Sequence, residues 1–480
     1  MRVVVLTVGV GLIPWMLGFR PYLRLVAPRD LANLFRHKYG EAIPMTTASE
    51  SEILTRVGPG TPLGNMMRHY WLPALKSSEL LADGDPIRFK LLGEQLIAFR
   101  DTQGRIGVMD HRCPHRCASL FFGRNEEGGI RCVYHGWKFD VDGNCVDMAN
   151  VPPHQDFKNK VHAKAYKTAE RCGLVWVYMG ECATAPPLPS IEATLKSEAE
   201  LEIVFVQRDC NWLQALEGDI DTSHLGFLHL GAAHKQTYKE DSIELNVVAN
   251  RAPEFVVEDT SIGTTYGAYR PNDGGGTYWR FAHFMFPFWT MPPIGTFETN
   301  VAVRAWVPLD DEHTMFIMLL AKEGRVHRPA SSFADGKLPS GAGMSDRGYL
   351  DPTTDWVGRW QLKANRSNDY LIDREIQRTD SYTGIDGIHL QDQAITESMG
   401  PITDHTFEHL APSDIPITRT RRHILSAVMA LADKGTVPPG VDTPADYRLH
   451  RGGYFVADVS LGWREAYEQR IAQDVAPNVT

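Results

Sequence analysis

The chain has 480 residues, of which 43% are hydrophobic, so it is long and apolar enough for two or three folded domains and is not a disordered protein. The net charge of −10 is moderate and spread along the chain, and gives no indication of a nucleic-acid partner. Its seven cysteines lack the regular spacing of a disulfide framework, which is typical of reduced thiols in the cytoplasm.

An apolar run occupies residues 3–19. It contains Pro14 and several glycines and is barely long enough to cross a bilayer. No small-residue cleavage site follows it, as a signal peptide would require. Because Met45 begins a sequence typical of a soluble enzyme, we expect residues 1–44 to be an extension outside the folded unit, as a wrongly assigned start codon would produce. Weak membrane association through residues 3–19 stays open as the alternative.

The next part of the chain, residues 45–185, is predicted to combine short helices with a small antiparallel sheet. Ser49 and Ser51 are candidate capping residues before an apolar helical segment. From Pro86 the apolar residues alternate with polar ones, which is typical of strands. Strands are expected at Ile87–Leu92, Gln95–Arg100, Arg105–Met109 and Cys172–Met179.

Two Cys–His pairs stand between the third and fourth of these strands. One residue separates Cys113 from His115, and two residues separate Cys132 from His135. Two cysteines on one iron and two histidines on the other are the ligands of a Rieske [2Fe–2S] cluster, and each pair can reach both irons. A Cys₂His₂ zinc site is the alternative, but paired zinc ligands are usually separated by at least two residues. The pattern therefore favours a Rieske cluster.

The second part, residues 186–480, begins in the proline-rich stretch Ala185–Pro189. A β-rich region is predicted after a helical stretch at residues 211–230. The polar residues 323–355 are predicted to form a long surface loop. Strands are expected at Ile203–Val206, Phe255–Glu258, Tyr278–Phe286, Val301–Val307 and Thr314–Leu320, and helices at Ala394–Met399, Thr418–Leu431 and Leu461–Gln473.

A second candidate metal site lies in this part. Asp221 and His224 are three residues apart, so we expect them to share one helix face. His224 and His229 are about 140° apart around an ideal helix, so they can bind one ion only where the helix bends or unwinds. Asp392 offers a carboxylate, and two histidines with one carboxylate are the ligands of non-haem Fe(II) oxygenases. Two unrelated histidines in a buried helix stay open as the alternative.

The chain resembles the large (α) subunits of Rieske non-haem iron aromatic-ring-hydroxylating oxygenases. CPHRCASLFFGRNEEGGIRCVYHGWKFDVDGNC is similar to their Rieske segment, and NWLQALEGDIDTSHLGFLH is similar to their mononuclear-iron segment. The stretch GIHLQDQAITESMGPITDHTFEHL is similar to the phthalate dioxygenase and phenoxybenzoate dioxygenase branch. One departure is Cys117, which stands where this branch usually has glycine.

The resemblance implies an α+β fold, with a small antiparallel β Rieske domain and a catalytic domain of antiparallel sheet covered by helices. The first would be residues 45–185 with their helical N-terminus, and the second residues 186–480. It also implies a trimer, or a hexamer of stacked trimers. In such a ring Asp221 would bridge His224 and His135 of the partner subunit by hydrogen bonds.

The resemblance further implies the reaction. An NAD(P)H-dependent reductase of the flavin and iron–sulfur type would supply electrons, O₂ would be the co-substrate, and the substrate would be an aromatic carboxylate of the phthalate, phenoxybenzoate or chlorobenzoate type. A monooxygenase or O-demethylase acting on another ring stays open, and so does, more distantly, a Rieske protein that only transfers electrons. Arginines can hold a carboxylate bidentately, with surface ion pairs as the alternative reading, and the candidates are Arg251, Arg270 and Arg280.

Overall fold

The computed structural model describes residues 46–233, 238–239, 242–243, 245–323 and 348–479. The predicted extension, residues 1–44, lies outside the described residues, and so does most of the predicted loop at residues 323–355. Within the described part, no helix is long and apolar enough to cross a membrane.

Two short helices open the described part, α1 (Ala48–Thr55) and α2 (Pro62–Met67). The N-cap of α1 is Thr47, and the predicted caps Ser49 and Ser51 lie inside the helix, so that prediction was wrong. The reason is a capping box: the Thr47 hydroxyl accepts a hydrogen bond from the Glu50 backbone nitrogen (3.2 Å), while the Glu50 carboxylate accepts one from the Thr47 backbone nitrogen (2.8 Å).

The first sheet has six antiparallel strands in the order β1-β10-β9-β4-β3-β2. It contains all four strands predicted for this part of the chain, with ends that differ by one or two residues. Their partners β1 and β9 were not predicted. The strands are β1 (Trp71–Lys76), β2 (Ile87–Leu91), β3 (Glu94–Arg100), β4 (Ile106–Asp110), β9 (Ala165–Arg171) and β10 (Leu174–Tyr178).

A second sheet of four short antiparallel strands carries the Cys–His pairs. The first pair lies in the loop that leads from β4 to this sheet, and the second lies in the loop between β6 and β7. These strands have only three or four residues each, too few for an alternating pattern to be recognised. They are β5 (Arg124–Glu126), β6 (Gly129–Arg131), β7 (Trp137–Phe139) and β8 (Cys145–Met148).

The third sheet has eight antiparallel strands and fills the second part of the chain. Its order is β11-β17-β16-β15-β14-β13-β12, and β18 also pairs with β14. The strands are β11 (Leu201–Arg208), β12 (Glu254–Thr260), β13 (Gly263–Pro271), β14 (Thr277–Met285), β15 (Trp289–Met291), β16 (Ala302–Pro308), β17 (Thr314–Ala321) and β18 (Gly453–Ala457).

Helices cover this third sheet. The helix α3 packs against β14, β15 and β16 and against α6, while α7 packs on β12 and β13. Because α3 and α6 are neighbours, the residues at the end of α3 lie close to those within α6. The helices are α3 (Trp212–Ile220), α4 (Leu245–Ala249), α5 (Arg374–Thr379), α6 (Ile388–Ser398), α7 (Ile415–Lys434), α8 (Trp463–Arg470) and α9 (Ala476–Val479).

One buried apolar cluster extends from Leu54 to Tyr447 and includes side chains of the first and third sheets. Trp176 of β10 and Trp289 of β15 contact each other in it, with ring centroids 5.8 Å apart. Antiparallel sheets with helices segregated to the third sheet confirm the predicted α+β class. The division at residues 185/186 stays a prediction.

Candidate metal centres

The two Cys–His pairs occupy loops of the same backbone design. In each loop the cysteine carbonyl accepts a hydrogen bond from the backbone nitrogen four residues later, at 2.9 Å both for Cys117 to Cys113 and for Gly136 to Cys132. The residue that closes each loop has a left-handed backbone, with φ of 59° at Cys117 and 77° at Gly136. The four predicted ligands are therefore presented by two matching turns.

The arrangement of the four side chains fits a [2Fe–2S] cluster. The thiols of Cys113 and Cys132 are buried and adjacent, and burial raises the pKa of Cys113 to about 12. The rings of His115 and His135 contact each other, with centroids 4.4 Å apart. Among the described residues, the buried Nδ1 of His115 has no hydrogen-bond partner, as expected of a nitrogen that binds metal.

The backbone of Cys117 is strained, because it has the left-handed conformation that Gly136 adopts at the equivalent position of the other loop. A non-glycine residue in the left-handed region costs about 1–2 kcal/mol, and the greater freedom of glycine in the unfolded chain offsets about 0.5–1 kcal/mol of the gain from replacing it. We expect Cys117→Gly to stabilise the protein by about 0.5–1 kcal/mol, measured as a higher urea midpoint in far-ultraviolet circular dichroism. Gly136→Ala, whose new Cβ would lie 2.9 Å from Ala149, is the matched opposite and should lower the midpoint. A lower midpoint for Cys117→Gly would contradict the strain.

The helix that carries the second motif ends before the histidines. Residues 211–230 are not one helix: α3 stops at Ile220, and Asp221 is its C-cap with an extended backbone (φ −91°, ψ 99°). The prediction that Asp221 and His224 share a helix face was therefore wrong. The cause is a local turn, in which Asp221 Oδ1 accepts a hydrogen bond from the Ser223 backbone nitrogen (2.7 Å) and replaces the helical pattern. The helix therefore ends before His224 and His229, as the binding of one ion by both histidines requires.

Three donor atoms converge beyond this turn. The Nε2 atoms of His224 and His229 are 3.1 Å apart, and Asp392 Oδ1 lies 3.6 Å and 3.1 Å from them, respectively. Asp392 lies in the second turn of α6. Two imidazole nitrogens and one carboxylate oxygen from one side form the donor set of a non-haem Fe(II) site with open positions.

The charges around this centre favour a cation. Burial by itself would lower the pKa of His224, but the carboxylates of Asp221 and Asp392 raise it above its usual value. Burial opposes ionisation of Asp392, yet His229 and His224 hold the pKa of Asp392 well below its usual range. The lowered pKa of Asp392 keeps its carboxylate in the anionic form that binds a metal ion.

The outer nitrogen of each imidazole also has a partner. Asp221 Oδ2 lies 3.5 Å from Nδ1 of His224, and Gln391 Oε1 lies 2.7 Å from Nδ1 of His229. The bridge from Asp221 to His135 of the partner subunit stays a prediction. Gln391 was not predicted from the sequence, where its only signal was its place beside Asp392.

The three candidate substrate arginines differ in their hydrogen bonds. Arg251 donates to the backbone carbonyls of Gly226 and Ala233, so it holds the loop between the histidines. Arg280 donates to Thr222 Oγ1 (3.0 Å), to the Tyr278 hydroxyl and to the carbonyl of Pro293. The guanidinium groups of Arg251 and Arg280 therefore already donate hydrogen bonds within the chain. Arg270 is 1% exposed, and only its Nε has a partner among the described residues, the carbonyl of Asn250 (2.6 Å).

Comparisons with known proteins cover both parts of the chain. A family model described as Rieske [2Fe-2S] domain matches residues 70–166, and one described as LigXa C-terminal domain like matches residues 177–474. The chain is 50% identical over 428 residues to the 3-chlorobenzoate-3,4-dioxygenase oxygenase subunit of Comamonas testosteroni, which covers 89% of this chain and 99% of that protein.

Two further matches agree with these. The phthalate 4,5-dioxygenase oxygenase subunit of Pseudomonas putida is 37% identical over 398 residues, covering 80% of this chain and 87% of that protein. The solved structure of Pseudomonas putida CBB5 NdmA with caffeine has a TM-score of 0.54 at 17% identity, and the match covers 84% of this chain and 100% of that one. The last match supports the fold.

Proposed function

Because the chain belongs to the family of Rieske non-haem iron ring-hydroxylating oxygenases, as an oxygenase subunit, we propose that it hydroxylates an aromatic carboxylate. The resemblance noted in the sequence is confirmed, and the enzyme uses a Rieske [2Fe–2S] cluster, a mononuclear non-haem iron and O₂. When bound, the cluster supplies single electrons and the iron supplies the site of oxygen activation.

The ligand assignment is part of this proposal. Cys113, His115, Cys132 and His135 would hold the cluster, and His224, His229 and Asp392 would hold the mononuclear iron. The support is geometric: adjacent buried thiols and contacting imidazoles in the first case, and three converging donor atoms in the second. The proposed domains, residues 45–185 and 186–480, would each carry one of the two metals.

One observation carries the choice of an aromatic carboxylate: the two terminal nitrogens of Arg270. They are buried, and among the described residues neither has a hydrogen-bond partner. Burial lowers the pKa of Arg270 to about 10, and the guanidinium of Arg280 adds to the effect. A buried guanidinium without an anion is costly, and a planar carboxylate is the ligand that it can bind bidentately. A substrate carboxylate would supply an anion to these two nitrogens.

The position of Arg270 connects it to the mononuclear centre. Tyr278, which pairs with Arg270 on the adjacent strand, belongs to the same buried cluster as Leu225 and Leu230. Each of these leucines directly follows one of the two histidines. Tyr278 in turn accepts a hydrogen bond from Arg280, which also donates to Thr222, the residue after Asp221. Four residues before Arg270, on the same face of β13, the hydroxyl of Tyr266 is also buried without a partner in the described part. A polar group on the ring of the substrate could accept a hydrogen bond there.

Replacing Arg270 with glutamine should weaken binding of carboxylate substrates selectively. A hydrogen bond to a charged group contributes about 1.5–3 kcal/mol, so we expect KM for the aromatic carboxylate to rise by about 10- to 150-fold. For the corresponding neutral aromatic amide, KM should change little. Arg464→Gln, which removes an exposed arginine paired with Glu258, should leave both KM values unchanged. Equal effects of Arg270→Gln on the acid and the amide would contradict carboxylate recognition.

The function itself is tested with a panel of aromatic carboxylates that includes 3-chlorobenzoate and phthalate, a surrogate reductase and labelled O₂. We expect a cis-dihydrodiol that contains both atoms of one O₂ molecule. A product with a single labelled oxygen would assign the enzyme to monooxygenation or O-demethylation. Turnover of neutral rings alone would contradict the proposed substrate class.

The enzyme works with an electron-donor protein and an aromatic substrate, as oxygenase components do. We propose that the donor is an NAD(P)H-dependent reductase with flavin and iron–sulfur centres, and that the reaction takes place in the cytoplasm, where NAD(P)H is available. We also propose a trimer or a hexamer, in which Asp221 contacts His135 of the partner subunit.

A further inference from the structure

Gln391 lies behind one of the two candidate histidine ligands. Its side chain is buried, and its Oε1 is 2.7 Å from Nδ1 of His229. Its Nε2 donates a hydrogen bond to the backbone carbonyl of Ile385 (2.9 Å). Gln391 immediately precedes Asp392 on α6, so one helix carries both a candidate ligand and a partner of another.

The carbonyl of Ile385 decides which way the Gln391 amide faces. A backbone carbonyl can only accept hydrogen bonds, so the NH₂ group of Gln391 must be on that side. The amide oxygen is then the atom that faces His229, and it too can only accept. Nδ1 of His229 must therefore carry the hydrogen, which leaves the lone pair of a neutral imidazole on Nε2. This is the nitrogen that converges with His224 and Asp392.

We propose that Gln391 is a positioning residue that fixes the tautomer and the ring orientation of His229 for binding iron. The proposal rests on the assignment of His229 as an iron ligand. His224 has an anionic partner in Asp221, whereas His229 has a neutral one that is held in place by the main chain. Outer partners of this kind orient metal-binding histidines and raise the affinity for the metal.

Without Gln391 the other tautomer becomes favourable. A hydrogen on Nε2 of His229 would point to Asp392 Oδ1, which is 3.1 Å away. Two of the three donor atoms would then be bonded to each other, and iron would have to displace that hydrogen. Removal of Gln391 should therefore weaken iron binding at this site and leave the [2Fe–2S] cluster unchanged.

The test is the dissociation constant of Fe(II) at the mononuclear site, measured by competition with a coloured chelator on protein whose cluster spectrum is intact. We expect Gln391→Leu to weaken binding by about 10- to 100-fold. Gln391→Glu keeps an acceptor for Nδ1, so it should bind iron more tightly than Gln391→Leu. Gln393→Leu is the matched control: Gln393 is also buried on α6, but it donates to Glu397 (2.8 Å) and not to His229, so binding should stay within about twofold of wild type.

The outcomes separate this inference from the ligand assignment. If Gln391 only fills space, leucine will be tolerated and a buried glutamate will be worse, so tighter binding by Gln391→Leu than by Gln391→Glu would overturn the proposal. Wild-type affinity in Gln391→Leu would overturn it too. His229→Ala tests the premise, because wild-type iron binding in that variant would refute His229 as a ligand. Loss of iron in His229→Ala with normal binding in Gln391→Leu would refute the role of Gln391 alone.

Discussion

Asp392→Ala should abolish product formation, with a loss of more than about 1,000-fold, and leave the Rieske cluster intact. Asp392 is the only anion among the three converging donors, and its Oδ1 lies within 3.6 Å of both histidine Nε2 atoms. Alanine removes this oxygen, and two neutral imidazoles alone hold a divalent ion poorly. The cluster loops belong to a different sheet and contain none of these residues.

Elemental analysis and visible absorbance together check this result. The variant should contain one iron atom less per chain than wild type, and its visible spectrum should be unchanged. Asp386→Ala is a suitable control, since Asp386 is an exposed carboxylate just before α6. An Asp392→Ala enzyme with wild-type iron content would exclude Asp392 as a ligand.

Asp221→Asn should keep both metals yet lower product formation by about 100-fold. The asparagine oxygen can still accept the hydrogen bond from the Ser223 backbone nitrogen, so the turn that ends α3 should survive. The negative charge beside His224 is lost. A neutral amide can no longer hold both the imidazole of His224 and that of the partner subunit's His135. Normal product formation by this variant would refute the bridging role.

Mixed oligomers test whether this bridge joins two subunits. The Asp221→Asn chain keeps a cluster, and a His135→Ala chain keeps a complete mononuclear site. If the bridge crosses the interface, co-expressed mixtures of these two impaired chains should recover part of the wild-type turnover. Transfer within one subunit predicts no recovery at any mixing ratio.

Local patterns were sufficient to predict much of this molecule. The strands β2, β3, β4 and β10 have five to seven residues each, which is long enough for a run of apolar and β-favouring residues to be recognised. The strands around the Cys–His loops could not, since they have three or four residues each. The candidate ligands His224, His229 and Asp392 were predicted from residue type and resemblance, and the structure brings their donor atoms together.

The parts that could not be predicted depend on contacts between distant residues or on one hydrogen bond. The helix α3 ends where it does because Asp221 accepts a hydrogen bond from the backbone nitrogen of Ser223. The sequence is equally compatible with a helix that continues past Asp221. Gln391 can contact His229 only because α6 lies against the loop that carries His229. Arg251, Arg270 and Arg280 look alike in sequence, and only their hydrogen-bond partners distinguish Arg270.

Single turnover of the purified, chemically reduced protein tests the central claim most directly. The protein is mixed with labelled O₂ and an aromatic carboxylate such as 3-chlorobenzoate, without any reductase, and the product is analysed by mass spectrometry. We expect a hydroxylated product with both labelled oxygen atoms, in an amount approaching one per mononuclear site. A fully reduced, iron-loaded protein that forms no labelled product from any aromatic carboxylate would contradict it.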